Sequence, residues 1–323
     1  MPLWESIESL QCQTYRNLRI VIVDNSGCEK VARSWPAPIP RDSVTILHPG
    51  TNIGFGAAVN RAYAEAPCDF LAVLNDDAAA DPDWITALVD AMSEHDRAGS
   101  AASQVKLHGS ADKLDSAGML IAADGTSKQR GHGESSISFF TEEETLLASG
   151  SASMYRAKML DETGGFDDDY FLYCEDTDLG LRARWAGWTC LYVPGAVVTH
   201  RYSHSAGRAS KLKAYYVERN RLFTIIKNFP IGRLLSAPLA TVSRYWHHLQ
   251  AMRAGHGAAA HARTDGTSAL TLVALVIKAH VAAIAHFGKL ISKRRAIRKR
   301  ISAKEFNAAL DRHSISVEKV AWL

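Results

Sequence analysis

Residues 69–77 read Asp-Phe-Leu-Ala-Val-Leu-Asn-Asp-Asp, an unbroken apolar run followed by two adjacent acids. A run this short, bounded by polar residues, predicts a strand covered on both faces, as in the parallel sheets of α/β proteins. Such sheets bind ligands at the carboxyl ends of their strands, so Asp76 and Asp77 arrive where a ligand is expected. Two neighbouring carboxylates with no nearby base repel each other. A hard divalent cation, Mg2+ or Mn2+, bridging to a phosphate relieves that repulsion. A turn that caps the next helix accounts for Asp81 and Pro82 but leaves Asp76 and Asp77 without a role.

A second acidic cluster, Glu175, Asp176 and Asp178, opens an apparent helix in which Leu181, Trp185 and Trp188 recur at i, i+4 and i+7. That spacing predicts one apolar face, with the carboxylates in the first turn, where free N–H groups and the macrodipole favour negative charge. An ordinary capped helix with surface acids is the alternative. Strands and helices alternate over the first two-thirds of the chain, predicting an α/β fold. Strands are expected at Leu18–Val23, Ser43–Leu47 and Asp69–Leu74, and helices at Ala57–Ala66 and Pro82–Glu94. Residues 106–145 are rich in Gly, Ser and charge and predict hairpins with a mobile loop. Beyond about Ser205 only helices are expected, which places a domain change there. Gly54-Phe55-Gly56 lacks the third glycine of a dinucleotide fingerprint and is set aside. The strand-end residues Asp24, Asn52 and Asp77 instead line one sheet edge able to address a nucleotide with its diphosphate, although a plain turn explains Asp24 equally.

The chain has 323 residues, 47% of them hydrophobic and 22% charged, enough for a substantial core and too apolar for disorder. A net charge of +3 gives no case for nucleic acid. The positive charge is concentrated instead at Lys289, Lys293, Arg294, Arg295, Arg298, Lys299 and Arg300. Five cysteines without paired metal spacing favour reduced thiols in a cytoplasmic setting, and the opening residues do not read as a signal peptide.

The ordered series Gln13-Thr14-Tyr15, Val23-Asp24-Asn25, Asn52-x-Gly54-Phe55, Leu74-Asn75-Asp76-Asp77, Gly164-Gly165-Phe166-Asp167, Glu175-Asp176-x-Asp178, Gly187-Trp188, His200 and Tyr216-x-x-Arg219-Asn220-Arg221 resembles glycosyltransferase family 2. The likeness is to its rhamnosyltransferase-like bacterial members that build cell-surface polysaccharide. It implies a GT-A fold, Rossmann-like with a mostly parallel sheet; the change of pattern near Ser205 bounds that domain at 1–205 and leaves a helical C-terminal region over 206–323. It also implies a nucleotide-sugar donor, a divalent metal and an inverting single displacement onto a glycan or lipid-linked acceptor. On these positions Asp24 and Asn52 would meet the donor, Asp76 its ribose or the metal's water shell, and Asp77 the metal. His200 stands where some relatives place a further metal ligand. Asp176 would be the general base, with Glu175 and Asp178 holding acceptor or frame and Gly150 on the acceptor side.

Relatives open with an apolar strand that touches the nucleotide base, whereas Met1-Pro2-Leu3-Trp4-Glu5 already reads as the following helix. A Val- and Ile-rich strand of roughly five or six residues is expected upstream. Residues 269–291 are largely apolar but carry Lys278 and Lys289. A lysine at mid-bilayer costs about 2.5–3.5 kcal/mol, so the segment is expected to lie on a membrane, with the basic block meeting anionic lipid at the inner face. A soluble helical cap is the alternative. A glycoside hydrolase, which also uses paired carboxylates, and a non-catalytic or degraded nucleotide-sugar-binding protein remain open as other functions.

Overall fold

A computed structural model describes residues 2–36, 40–110, 112–201, 211–257 and 268–322. The chain opens with helix α1 (Pro2–Gln11), strand β1 (Ile20–Val23) and the short helix α2 (Lys30–Arg33), then β2 (Val44–Leu47), α3 (Phe55–Glu65), β3 (Phe70–Leu74), β4 (Ala78–Ala80) and α4 (Trp84–Glu94). The expected Asp81–Pro82 start of α4 moves two residues on, because Trp84 N–H closes a turn onto the Asp81 carbonyl. Buried Gln13 ties this region together. Its amide donates to the Asp81 carbonyl (2.8 Å) and accepts from Ile85 N–H (2.9 Å) at the start of α4.

The longest ladder was not anticipated from the sequence. It is the parallel pairing of β5 (Ala98–Leu107) with β11 (Thr189–His200), broken where Pro194, Gly195 and Ala196 bulge between Val193 and Val197. Between them in the chain come β6 (Leu114–Ser116), β7 (Met119–Ile121), β8 (Ser127–Gln129), β9 (Glu143–Thr145), β10 (Ala152–Arg156), α5 (Ala157–Thr163) and α6 (Glu175–Trp185). The central sheet runs β3-β10-β5-β11-β4, with β6 on β5 and β9 on β11. β1 and β2 form a separate parallel pair. The sheet is thus mixed, of the expected GT-A type, and among the described residues β1 pairs only with β2, and β3 only with β10. Trp84, Leu88 and Met92 of α4 pack fully buried against it, and the Trp84 indole N–H donates to Ser103 Oγ at 2.8 Å.

Residues 106–145 do hold a hairpin, β7–β8, but Leu114, Asp115, Met119, Ile121 and Asp124 within it are buried. The expected domain change near Ser205 lies outside the described residues. From 211 onward the described chain is helical: α7 (Lys211–Asn228), α8 (Ile231–Arg253), α9 (Ala269–Ala285), α10 (Phe287–Ala296), α11 (Ala303–Arg312) and α12 (Val317–Trp322). These helices pack back on the sheet domain. Trp185 of α6 stacks on Phe306 of α11 at 4.1 Å, and its indole N–H donates to the Asn228 carbonyl of α7. Trp188, expected on the face of α6, lies past its end, because Gly187 turns the chain at φ 86°.

Candidate active site

Antiparallel register brings the first acidic cluster to a histidine. Ala78 of β4 pairs with His200 at the end of β11, so the preceding Asp77 lies beside the imidazole. His200 Nε2 stands 3.1 Å from Asp77 Oδ1, and its Nδ1 stands 2.7 Å from Oδ2 of Asp115 on β6. The other Asp115 oxygen stands 3.1 Å from His132 Nδ1. All but His132 are buried. Burial opposes charge on His200, but its hydrogen bonds to Asp115 and Asp77 and their charges outweigh this and raise it to about 9. Burial likewise opposes charge on Asp115, yet the two histidines hold it below the usual carboxylate range. Asp76, the neighbour in sequence, is exposed. Among the described residues, no three or more His, Cys, Asp or Glu side chains form a set that could hold a metal unaided.

The second cluster meets the same sheet edge through a short chain of bonds. Asn75 N–H donates to the Ser151 carbonyl (2.9 Å), and the adjacent Gly150 N–H donates to Asp176 Oδ2 (3.0 Å). A side chain at Gly150 would crowd the Phe55 ring at 3.2 Å. Asp176 is part-exposed and takes Thr177 N–H on Oδ1 (2.6 Å). Burial raises its carboxyl despite these donors. Glu175 is 7% exposed, and its Oε2 has no hydrogen-bond partner. Burial, and next the Asp176 charge, raise Glu175 to about 8. At neutral pH Glu175 is therefore protonated. Asp178, for which acceptor or frame was expected, is fully buried among frame residues. It accepts from Arg182 Nε (2.8 Å), Tyr170 OH (3.1 Å) and Asn228 Nδ2 (2.9 Å), with Lys227 Nζ at 2.8 Å.

The turn that delivers Glu175 and Asp176 is strained. Phe171, Tyr173 and Cys174 have φ of 60°, 69° and 65°, a left-handed region that ordinary residues avoid. Asn220 of α7, buried, holds them there. Its amide nitrogen lies 2.8, 2.8 and 2.7 Å from the carbonyls of Tyr170, Leu172 and Tyr173. Arg219 adds bonds to the carbonyls of Asp169 and Tyr170.

Asp24 lines a cleft of about 240 Å3 with Gly27, Cys28, Glu29, Arg33, His48 and Gly50. Its oxygens accept Ser26 N–H (3.0 Å) and Val31 N–H (2.9 Å). Burial opposes its charge, but these donors lower the carboxyl. Asn52 is exposed and accepts Gly54 N–H at 2.9 Å, shaping the turn into α3. Asp24 and Asn52 thus each serve the local backbone. Asp115, His132 and Asn220 were given no role from sequence. No apolar run or paired acid marks Asp115 and His132, and Asn220 showed only as a member of a motif.

A sheet edge with two carboxylate clusters is the setting of a sugar transferase, and the comparisons bear this out. Residues 2–164 match the model of glycosyl transferase family 2, and the chain belongs to that family. It is a glycosyltransferase. It is similar to the N-acetylglucosaminyl-diphospho-decaprenol L-rhamnosyltransferase of Mycobacterium tuberculosis, 32% identical over 234 residues, 65% of this chain and 76% of that one. It is similar over 66 residues, 20% of this chain and 25% of the other, to the rhamnosyltransferase WbbL of Escherichia coli K12, at 41% identity. Two solved structures share the fold. One is GalNAc-T7 with UDP, GalNAc and Mn2+ (TM-score 0.55, 16% identity), over 70% of this chain and 45% of that one. The other is the mannosyltransferase PcManGT of Pyrobaculum calidifontis with GDP-Man and Mn2+ (TM-score 0.51, 14% identity), over 96% and 83%.

Proposed function

We propose that the chain is an inverting transferase moving a sugar, rhamnosyl by likeness to the mycobacterial relative, from a nucleoside-diphosphate donor to a hydroxyl of a lipid-linked glycan acceptor. The observation that carries this is Asp176, part-exposed at the head of α6 and bonded through Gly150 to the strand end bearing Asp77. Asp176 takes the proton of the acceptor hydroxyl as its oxygen attacks the anomeric carbon. The C–O bond to the nucleoside diphosphate breaks with its electron pair, and configuration inverts. A protonated Glu175 leaves one negative charge on the pair, so Asp176 carries the base function. In this reading Asp24 and Asn52 face the nucleoside, Asp76 the ribose, and Gly150 and Glu175 the acceptor, while Asp178 fixes the frame.

Asp77 and His200 would fit a Mg2+ or Mn2+ site once the imidazole gives up the proton that its two carboxylate neighbours favour, since only the neutral ring can ligate a cation. A hard carboxylate oxygen and an imidazole nitrogen lie side by side, and the second imidazole nitrogen is fixed by Asp115, the arrangement that orients metal-bound histidines. A bound cation would supply charge neutralisation for the departing diphosphate. The residues themselves orient it: Asp115 and His132 fix the ring, and β4 and β11 fix the spacing.

The helical region, taken as 206–323, is proposed to rest on the inner face of the cytoplasmic membrane. No single described helix is long and apolar enough to cross, and the one candidate pair, α9 and α10, bends by 61°. Part of the basic block pairs within the protein, although most of it stays exposed. Lys289 and Lys293 pair with Asp169, Lys293 also with Asp167, and Arg300 with Glu162. Exposed apolar stripes favour the membrane: Leu235, Leu239, Val242 and Trp246 on α8, and Leu270, Val273, Ile277, Val281 and Ile284 on α9.

A panel of nucleotide sugars, assayed with a lipid-linked acceptor and Mn2+ or Mg2+, tests the reading. Transfer with an inverted anomeric centre by NMR is expected. Asp176→Asn should cut turnover roughly 100-fold or more while donor binding persists. Chelation should abolish transfer, and Asp77→Ala should weaken binding of the nucleoside diphosphate. Full activity in Asp176→Asn removes the base, and activity in chelator removes the metal.

A further inference from the structure

Asp176 is answered by neutral donors. Among the described residues it forms no ion pair, whereas Asp178, two residues on, faces Arg182 and Lys227. The titratable groups that its charge reaches are Glu175, Cys174 and Tyr155, all pushed upward by burial and protonated at neutral pH. Its donors are Gly150 N–H on Oδ2, Thr177 N–H on Oδ1, and the Thr177 hydroxyl, 3.3 Å from Oδ1. A part-buried carboxylate without a cation depends on such donors for its charge and its orientation.

The Thr177 hydroxyl is the adjustable one of the three. It is buried, and it also stands 2.8 Å from Ser127 Oγ on β8. A hydroxyl has a single hydrogen, so Thr177 serves one of these neighbours at a time. An ionised carboxylate is the stronger acceptor and takes that hydrogen, leaving the Thr177 oxygen open to the Ser127 hydroxyl. Once Asp176 carries the acceptor's proton, the Thr177 hydrogen is free to turn to Ser127.

Ser127 is a fixed point. It opens β8 opposite Ile121 of β7, whose N–H donates to the His313 carbonyl at 3.1 Å. The hairpin tip is pinned by buried Asp124, which accepts from Thr126 N–H (3.2 Å) and pairs with Arg244 of α8 and Arg221 of α7. Beside it Gly125, at φ 80°, lies so close to α7 that a Cβ there would stand 2.5 Å from Ile225 Cγ1.

We infer that Ser127 and Thr177 are positioning residues, a two-hydroxyl relay held by the β7–β8 hairpin that aims Asp176 at the acceptor hydroxyl and keeps a donor on it until the proton is transferred. This rests on the reading of Asp176 as the base. Both residues act through Asp176.

A carbon-13 NMR titration of the Asp176 carboxyl, which uses no sugar transfer, tests the relay. Thr177→Val keeps the N–H and the shape but lacks the hydroxyl, and should raise the Asp176 midpoint by about half a pH unit or more. Thr177→Ser should restore it, and Ser127→Ala should move it the same way by less. In transfer assays the acid limb of kcat should rise with the midpoint, and kcat should fall on the order of 10-fold in Thr177→Val while acceptor KM stays within twofold. A hydroxyl pair that serves only stability would lower the urea midpoint and leave the titration and the acid limb in place, which overturns the relay. An unmoved Asp176 midpoint in Ser127→Ala, a change at a half-buried position that spares the helix, overturns it as well. Transfer that persists in Asp176→Asn overturns the base reading instead, so the two fail separately.

Discussion

Replacing Asn220 by Ala removes the one amide that faces three carbonyls of the strained turn. An amide has two N–H hydrogens, so one of them is shared. At about 1 kcal/mol net per bond the direct loss is roughly 2–3 kcal/mol. Against it stand three left-handed residues, Phe171, Tyr173 and Cys174, each costing about 1 kcal/mol or more. The two sums are comparable, so without the amide the turn relaxes rather than staying strained. The stability loss should therefore stop near roughly 2–3 kcal/mol. Catalysis should suffer more, since relaxation moves Glu175 and Asp176, and a displacement of about 1 Å can cost on the order of 100-fold. Asn220→Asp supplies the sign test. It is nearly isosteric, yet sets a carboxylate against three carbonyls, offset only by Arg219 Nε now at 2.8 Å from Oδ1. It should be no more stable than the Ala variant. Urea unfolding and single-turnover transfer rates measure both effects. An Ala variant within twofold of normal in rate and unchanged in urea midpoint, or an Asp variant as stable as the natural chain, refutes this account of the turn.

Glu175 yields a pH prediction. Its folded carboxyl is raised to about 8, so the proton-bound form favours the fold. That contribution is complete below the ordinary value of 4.5 and is lost as pH rises through about 8. Glu175→Gln lacks the loss and should gain stability relative to the natural chain between pH 5 and 9, by at most roughly 5 kcal/mol; parallel unfolding curves across that range would show the carboxyl already ionised. For the membrane face, Leu235→Glu with Leu239→Glu on α8, or Val273→Glu with Ile277→Glu on α9, should each cut flotation with anionic vesicles more than 10-fold, because a buried Leu or Ile is worth about 1.5–3 kcal/mol. Unchanged flotation in both pairs removes the stripes as the lipid contact.

Periodicity made the acids visible but not their division of labour. Asp76, Asp77, Glu175, Asp176 and Asp178 all announced themselves as carboxylates at element ends, strand ends added Asp24 and Asn52, and the family series added His200. What local sequence could not carry was which of them would be buried against a base. Asp178 lies one residue beyond Thr177 on the same turn as Asp176, yet it is enclosed by Arg182, Lys227 and Asn228, two of which come from a helix some 50 positions away. The two strands of the longest ladder were overlooked for a related reason. β5 reads Ala-Gly-Ser-Ala-Ala-Ser-Gln-Val-Lys-Leu, with small residues where a strand signal needs branched ones, and only the packing of α4 and β11 against it makes it a strand.

The same limit hid the basic block's internal partners. Seven basic residues within 289–300 look like a face for anionic lipid when read alone. Asp167, Asp169 and Glu162 stand more than a hundred positions earlier, so only the fold shows that Lys289 and Lys293 tie the helical region to the turn preceding Glu175 and Arg300 ties it to α5.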